Sequence, residues 1–357
     1  MVGGEGTAEN GGAGWTATRH ARGQLTSCIE ALSNSTIQVS AGVGGDEVAA
    51  GGRHSSTART FNVDYAFGAD ATQHGVYETS VAPLLARFVE GYNVTVLAYG
   101  QTSSGKTHTM GTDGGEAGIV PRALQWLFAW AQAGGHGAGL RRGVDIRISF
   151  IEVYNEDLID LVAQAQGHGV RPPIFVREDA KGNILWTGVQ EVAVASAEAA
   201  MGILADGSRE RQTWGTRMNA TSSRSHAIYS VSLTQTRARE SVRIVSKLHF
   251  VDLAGSERLK KTMAVGERQR EGISINSGLL ALGNVISALG DTHRGPLAHV
   301  PYRESKLTYM LRDSLGGSAQ TLLIACVSAA EANAAESINT LKYAARARNI
   351  RNRGGVN

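Results

Sequence analysis

Short apolar runs rich in β-branched residues recur along this chain of 357 residues and predict a series of strands. The first run covers residues 94–99 and ends at Gly100. Later runs of the same character cover residues 146–153, 227–236, 248–253 and 322–327. Helical spacing is found at Leu279, Leu282, Ile286 and Leu289, and again at Ile338, Leu341, Ala345 and Arg348. Strands that alternate with helices predict a layered α/β domain.

Glycine-rich stretches mark the boundaries of this domain. Residues 1–20 are rich in glycine, and such a stretch cannot offset its ordering entropy by burying apolar surface. We therefore expect residues 1–20 to form a disordered tail and residues 21–350 to form the main domain. Two further glycine-rich stretches, residues 42–52 and 134–143, are predicted to be surface loops. The sequence has no sustained heptad pattern, so dimerisation through a coiled coil would have to use residues outside this chain.

The composition limits the class of protein. Hydrophobic residues make up 42% and charged residues 19% of the chain, and the net charge of +3 permits an acidic partner without requiring one. Cys28 and Cys326 are the two cysteines, which argues against a disulfide scaffold or a zinc site. No apolar run approaches the roughly 18 residues of a membrane span, and the N-terminus lacks a signal-peptide pattern. We expect no membrane contact, no evident nucleic-acid contact and a cytosolic or nuclear location.

A phosphate-binding loop follows the first predicted strand. Its residues fit the pattern GxxxxGK[ST] and are Gly100, Gln101, Thr102, Ser103, Ser104, Gly105, Lys106 and Thr107. Backbone N–H groups of such a loop wrap phosphate oxygens, the lysine reaches the β and γ phosphates, and the threonine hydroxyl ligates Mg²⁺. The pattern alone predicts an NTPase or a kinase.

A second element of a nucleotide site follows the strand at residues 248–253. Asp252 could hold a Mg²⁺-bound water, and Gly255 could present its N–H to a γ-phosphate. Asp-x-x-Gly is a common turn when it stands alone. Its occurrence together with the phosphate loop favours the functional interpretation.

Three motifs in chain order resemble those of kinesin motor domains. They are the phosphate loop, the hydroxyl-rich cluster at residues 219–226 and the segment at residues 252–258. The runs at residues 279–289, 299–308 and 313–317 resemble the same family, and the resemblance covers about residues 61–352. It implies a P-loop NTPase of the kinesin motor fold, in which helices flank both faces of a central mixed β-sheet. Residues 351–357 would then begin the neck linker.

The resemblance also implies roles for single residues. Residues 100–107 would hold the phosphates of ATP, with His108 against the adenine. Thr107 and Ser223 would ligate Mg²⁺, and Asp252 would reach it through water. Gly255 would sense the γ-phosphate, Arg224 and Glu257 would form the ion pair that organises the attacking water, and Asn276 would tie a relay helix to the closed site.

The partner that the resemblance implies is the microtubule, whose tubulin surface is acidic. The candidate cations by family position are Arg258, Lys260, Lys261, Arg303 and Lys306, with Arg177 and Lys181 as a second contact. For each cation alone, a solvated surface charge is an equally good interpretation.

The implied function is an ATP-dependent motor that moves towards the microtubule plus end, located in the cytoplasm on the cytoskeleton and most similar to the chromokinesin-type family four. One alternative is a microtubule-binding protein without a productive ATPase. Another is a phosphate-loop kinase, which would leave the cluster at residues 219–226 unexplained.

One family feature is missing from its expected place. Kinesin motors open with an apolar inner strand that ends in an Arg-x-Arg-Pro turn against the adenine. This strand should fall within residues 1–20, where Trp15 is the only large apolar residue and no proline occurs. We therefore expect the first inner strand to be missing or degenerate, with lowered stability and weakened adenine selectivity, unless the N-terminus is mis-defined.

Overall fold

A mixed β-sheet forms the centre of the chain in a computed structural model. The structure describes residues 27–41, 57–112, 117–134, 141–167, 173–180, 182–217, 223–237, 242–257, 267–291 and 299–357. The strands are β1 (Ile29–Ser33), β2 (Thr36–Ala41), β3 (Thr57–Asn62), β4 (Val94–Tyr99), β5 (Arg141–Tyr154), β6 (Asp157–Asp160), β7 (Phe175–Glu178), β8 (Ile184–Thr187), β9 (Val192–Ala193), β10 (His226–Arg237), β11 (Val242–Asp252) and β12 (Gln320–Ala325).

Helices alternate with these strands along the chain. They are α1 (Gln73–Ser80), α2 (Ala82–Glu90), α3 (Lys106–Met110), α4 (Ile119–Gln132), α5 (Leu161–Ala165), α6 (Ala197–Arg217), α7 (Glu267–Gly290), α8 (Lys306–Met310) and α9 (Ala334–Ala347). Local signals explain several boundaries. The Thr72 hydroxyl accepts a hydrogen bond from Gly75 N at the start of α1, and Gly91 ends α2 in the left-handed conformation.

The main sheet has the strand order β12-β4-β11-β10-β5-β6, with β9 paired to β5. β12, β4 and β11 run parallel, whereas β10, β5 and β6 pair antiparallel. Two smaller sheets, β1-β2-β3 and β7-β8, lie outside it. The predicted α/β class with a central mixed sheet is confirmed.

β4 is buried on both faces because helices cover both sides of the sheet. In β4, Val94, Val96 and Ala98 pack in one apolar cluster, while Leu97 and Tyr99 pack in the other. The first cluster takes side chains from α1, α2, α4 and α6, and the second takes them from α7, α8 and α9. This alternation follows from the two-residue period of a strand.

The apolar runs located the strands, but not their ends. β4 has the predicted bounds, whereas β5, β10 and β11 extend beyond the runs at residues 146–153, 227–236 and 248–253. These strands continue past the core as paired ribbons, and Val242 is 43% exposed at the start of β11. An apolar pattern records only the buried part of a strand.

The loop predicted at residues 134–143 extends too far at its C-terminal end. Residues 141–143 belong to β5, and Gly143 has a φ of +90°. The register against β10 shifts between Gln235 and Arg237, so a glycine here allows a bulge within a continuing strand. The predicted tail at residues 1–20 and the predicted loop at residues 42–52 lie outside the described residues.

β12 is an edge strand within the part of the chain that the structure describes. Gln320 N donates to Asn93 O and Cys326 N donates to Tyr99 O, both at 2.8 Å, so the even-numbered residues of β12 face β4. By strand alternation, the backbone groups of residues 321, 323 and 325 face outward. A cavity of about 570 Å³ runs beside this edge and includes Leu322, Leu323 and Ile324 in its lining, which leaves these side chains half-buried. The missing inner strand itself falls on residues that are not described, and it stays a prediction.

Replacing residues 1–20 with an apolar strand that ends in Arg-x-Arg-Pro should raise the melting temperature by roughly 5–10 °C or more. The graft would pair the outward backbone groups of β12, each hydrogen bond contributing about 0.5–1.5 kcal/mol, and would cover its half-buried side chains. Calorimetry of the parent and the graft measures the shift. A glycine-serine graft of equal length is the control, and equal melting temperatures for both grafts would contradict the expectation.

The C-terminal segment lies against the core after α9. Arg353 N donates to Gly317 O at 2.8 Å and Asn357 N donates to Gly91 O at 3.1 Å. The Asn352 amide also donates to Ser314 O at 2.8 Å. Residues 351–357, predicted to begin a neck linker, are therefore hydrogen-bonded along the core.

Candidate nucleotide-binding site

The phosphate loop connects β4 to α3, as its motif predicts. A Cβ at Gly100 would collide with the carbonyl oxygen of Cys326, so the loop leaves the sheet through a space that admits glycine alone. Gly105 has a φ of +98° and caps the N-terminus of α3, which brings Lys106 and Thr107 into the first helical turn. The backbone therefore fits the anion-binding geometry that the motif predicts.

Lys106 is buried at the centre of this loop. Its Nζ donates to Gly100 O at 3.0 Å and to Gln101 O at 2.9 Å. Burial lowers the pKa of Lys106, while the carboxylates of Asp252 and Glu257 act to raise it. The ammonium group is thus held in the curve of the loop, where a phosphate would compete for its hydrogen bonds.

Thr107 and Asp252 form a pair of oxygen ligands suited to Mg²⁺. Thr107 Oγ1 donates to Asp252 Oδ2 at 2.8 Å. Asp252 is 3% exposed at the end of β11, and its Oδ1 is buried without a hydrogen-bond partner in the described structure. A buried carboxylate oxygen that lacks a partner is costly, and a metal-bound water would satisfy it. The residues present therefore fit the predicted cation.

Gly255 joins the two other motifs, at residues 219–226 and 252–258, which we call the switch segments. Its N–H donates to the backbone oxygen of Ser223 at 2.8 Å, and Ser256 N donates to Gly100 O at 3.1 Å. A Cβ at Gly255 would collide with side-chain atoms of Thr102 and Glu257. The structure thus brings Ser223, Gly255 and the phosphate loop together, as the motifs predicted.

Glu257 contacts the phosphate loop in this arrangement. Its Oε2 accepts from Thr102 N at 2.9 Å and its Oε1 accepts from Thr102 Oγ1 at 2.6 Å. The predicted ion pair with Arg224 is not among the contacts that the described residues give Glu257. That pair stays a prediction for the closed site. The side chain of Asn276 lies outside the described part of the chain.

His226 is a structural member of the site that the sequence did not single out. Its Nδ1 accepts a hydrogen bond from Ala254 N at 3.0 Å. Complete burial is the main cause that lowers the pKa of His226 to about 3, with the cations of Arg211 and Lys106 adding to it. The imidazole is therefore neutral, which lets Nδ1 accept and fixes the backbone just before Gly255.

Arg211 of α6 was also missed. It is 6% exposed, and its guanidinium lies 3.5 Å from both Glu152 Oε1 and Asp252 Oδ2. It stands among charged neighbours at positions 209 and 210, so the sequence pattern is typical of a solvated helix face. No single-sequence signal distinguishes it from the exposed Arg209, which pairs with Asp206 on the same helix.

The predicted adenine contact, His108, lies on the exposed side of α3. Gln73 at the start of α1 donates through Nε2 to His108 O at 2.8 Å, and the same nitrogen lies 3.0 Å from His108 Nδ1. Gln73 therefore ties α1 to the end of the phosphate loop. No motif in the sequence marks Gln73.

Three of the seven predicted microtubule-binding cations lie within the described residues. Arg177, Arg303 and Lys306 are exposed. Arg303 Nη2 lies 3.4 Å from Glu178 Oε2, an ion pair that joins the β7-β8 hairpin to the segment before α8. The remaining candidates, Lys181, Arg258, Lys260 and Lys261, lie outside the described residues.

Comparisons with known proteins agree with these motifs. The model of the kinesin motor domain matches residues 25–350. The rat kinesin-like protein KIF27 is 49% identical over 315 residues, which cover 84% of this chain and 22% of that protein. The mouse chromosome-associated kinesin KIF4 is 45% identical over 311 residues, which cover 84% of this chain and 24% of that protein. The chain thus spans about a quarter of the length of these relatives.

Solved structures show the same architecture. A fast kinesin superposes with a TM-score of 0.80 at 32% identity, covering 93% of this chain and 88% of that chain. A KIF14 dimer with AMP-PNP in complex with a microtubule superposes with a TM-score of 0.79 at 37% identity, covering 94% and 91%. In the described residues, no helix combines the length and apolar character needed to cross a membrane. The phosphate loop, both switch segments and the sheet that carries them therefore have one common explanation: this chain belongs to the kinesin motor domain family.

Proposed function

We propose that this motor domain hydrolyses ATP and uses the reaction to move along microtubules towards the plus end. The proposal is supported by one observation: three segments that are far apart in the sequence lie together at the phosphate loop. The Thr107–Asp252 pair, the Gly255–Ser223 hydrogen bond and the Glu257–Thr102 contacts all lie at the phosphate loop. A γ-phosphate placed there would lie beside all three segments.

ATP and Mg²⁺ would be held by residues already in place. The backbone of residues 100–107 and Lys106 would bind the phosphates, and His108 would lie beside the base. Thr107, Ser223 and Asp252 would hold the cation, which neutralises charge on the β and γ oxygens when bound. Gly255, Arg224 and Glu257 would orient the attacking water, so catalysis rests on positioning and charge stabilisation.

The route from this site to movement would run through α7. This helix packs on α8 and α9, and α9 leads directly into the docked segment at residues 351–357. A γ-phosphate would compete with the Ser223 carbonyl for the Gly255 N–H, and its loss would return that N–H to Ser223 and shift α7. A packed helix pair with two arrangements would pass that shift to the C-terminal segment.

A motor with an impaired ATPase is the second candidate function. The edge of β12 favours it, because the described residues pair this strand on one side only, where the expected inner strand and its adenine-binding turn would lie. Such a protein would bind microtubules without nucleotide-dependent release.

Cosedimentation with microtubules tests the binding half of the proposal. We expect tighter binding with AMP-PNP than with ADP, because the γ-phosphate position is what Gly255 would sense. Equal binding with both nucleotides would contradict the motor and would favour the second candidate.

Replacing both Arg303 and Lys306 with alanine should weaken microtubule binding more at low salt than at high salt, since exposed charges are screened. ATPase activity without microtubules should be nearly unchanged. The matched control removes two exposed cations on other elements, Arg243 and Lys342, in the same way. Unaltered cosedimentation of the Arg303 and Lys306 variant at low salt would place the track-binding surface elsewhere.

A further inference from the structure

Arg211 connects three elements around the proposed Mg²⁺ site. Its Nε donates to Ser225 Oγ at 3.1 Å and its Nη2 donates to Ser225 O at 2.8 Å. Its Nη1 lies 3.5 Å from Asp252 Oδ2 at the end of β11, and its Nε lies 3.5 Å from Glu152 Oε1 on β5. One guanidinium from α6 thus contacts the sheet and the segment that carries Ser223.

This arrangement needs an arginine. The planar guanidinium presents donors in several fixed directions, whereas a lysine ammonium acts as a single compact charge. Glu152 is also buried, and burial raises its pKa while the Ser225 hydroxyl and Arg211 oppose the shift. A charge buried this deeply must be paired, so Arg211 has at least a structural role towards Glu152.

The contacts with Asp252 and Ser225 go beyond charge neutralisation. Asp252 Oδ2 is engaged by both Thr107 and Arg211, which orients the carboxylate and leaves Oδ1 without a partner in the described structure. Ser225 is held through both its hydroxyl and its carbonyl, two residues beyond Ser223. The same side chain therefore sets the positions of two of the groups proposed to surround the cation.

We propose that Arg211 is a positioning residue that couples the orientation of Asp252 to the Ser223 segment and so sets the affinity of the site for Mg²⁺. This inference rests on the proposed Mg²⁺–nucleotide function. It adds a residue that neither the phosphate loop nor the switch motifs contain. Partners of metal-site groups typically change metal affinity by about 10–100-fold when they are removed.

The test separates this role from neutralisation of Glu152. The double variant Arg211→Met with Glu152→Gln removes both buried charges, so no unpaired charge remains between them. Arg211→Lys keeps the charge but loses the planar fork. Arg209→Met, an exposed arginine on the same helix, is the matched control.

The measurement is the affinity for a fluorescent ADP analogue across a Mg²⁺ titration that starts in EDTA. In the parent and in Arg209→Met, Mg²⁺ should tighten binding at the same midpoint. In the double variant and in Arg211→Lys, the midpoint should move about 10–100-fold higher, while affinity in EDTA stays near that of the parent.

The outcomes distinguish the two levels of the proposal. A parent that binds the analogue with no response to Mg²⁺ would contradict the proposed function. If the parent responds to Mg²⁺ and both Arg211 variants have the same midpoint as the parent, the role of Arg211 would be overturned while the proposed function would stand. If the double variant does not fold by circular dichroism, the midpoint of Arg211→Lys decides by the same criterion.

Discussion

Replacing Lys106 with alanine should reduce ATP turnover by at least about 10²–10³-fold, the usual cost of removing one preorganised charge from a transition state. Lys106 is buried within the curve of the phosphate loop, and its ammonium lies where the β and γ phosphates would bind. Neutralising that position leaves the developing negative charge without its nearest cation. Steady-state ATPase assays with microtubules measure the loss.

The fold should survive this change. The variant loses the Lys106 hydrogen bonds to the carbonyls of Gly100 and Gln101, at a cost of about 1–3 kcal/mol each at most, because both carbonyls keep other donors in Ser256 and Ser104. Circular dichroism checks that the sheet is intact, and Lys342→Ala on the exposed face of α9 is the control. Turnover of Lys106→Ala within about threefold of the parent would contradict the assignment of the phosphate loop.

Replacing Glu257 with alanine should leave ATP binding intact and reduce hydrolysis by about 10²–10³-fold. Glu257 contacts Thr102 of the loop but is not one of the groups proposed to bind the phosphates, which are the loop backbone, Lys106 and Thr107. Its loss therefore removes a group proposed to orient water without removing the phosphate ligands. Equilibrium binding of an ATP analogue and single-turnover hydrolysis separate the two effects.

A double-mutant cycle tests whether Glu257 works with Arg224. If the two act as one unit, the variant that lacks both should be hardly slower than either single variant. Glu90→Ala, an exposed carboxylate paired with Arg87, is the control. Additive losses would show that the two residues act separately.

The sequence predicted the centre of the molecule well because local chemistry decides it. β4 ends where the apolar run ends, because only a glycine at position 100 fits against the Cys326 carbonyl. Thr107 and Asp252 are 145 positions apart, yet Asp252 is the last residue of β11 and Thr107 lies in the loop and helix after β4, the parallel strand next to β11. The carboxyl ends of parallel strands lie at the same edge of a sheet, so the phosphate loop and the Asp252 segment were expected to lie close together.

The parts that escaped prediction depend on distant contacts. Arg211 lies among charged helix residues, and only the folded chain shows that Asp252 and Glu152 face it. The small sheet of β1, β2 and β3 packs on α9 through few apolar residues, with Val39 and Leu341 among them, so no periodic run marked it. Glu257 belongs to a recognisable motif, but its Thr102 partner depends on the arrangement of the switch segments.

The most direct test of the account is the steady-state ATPase rate of this motor domain with and without microtubules. We expect slow hydrolysis by the domain alone and a strong, saturable increase as microtubules are added, because microtubule binding would act on α7 and through it on the Gly255 segment. A rate that stays the same at all microtubule concentrations, in a protein that cosediments with them, would contradict the central claim that the phosphate site drives movement.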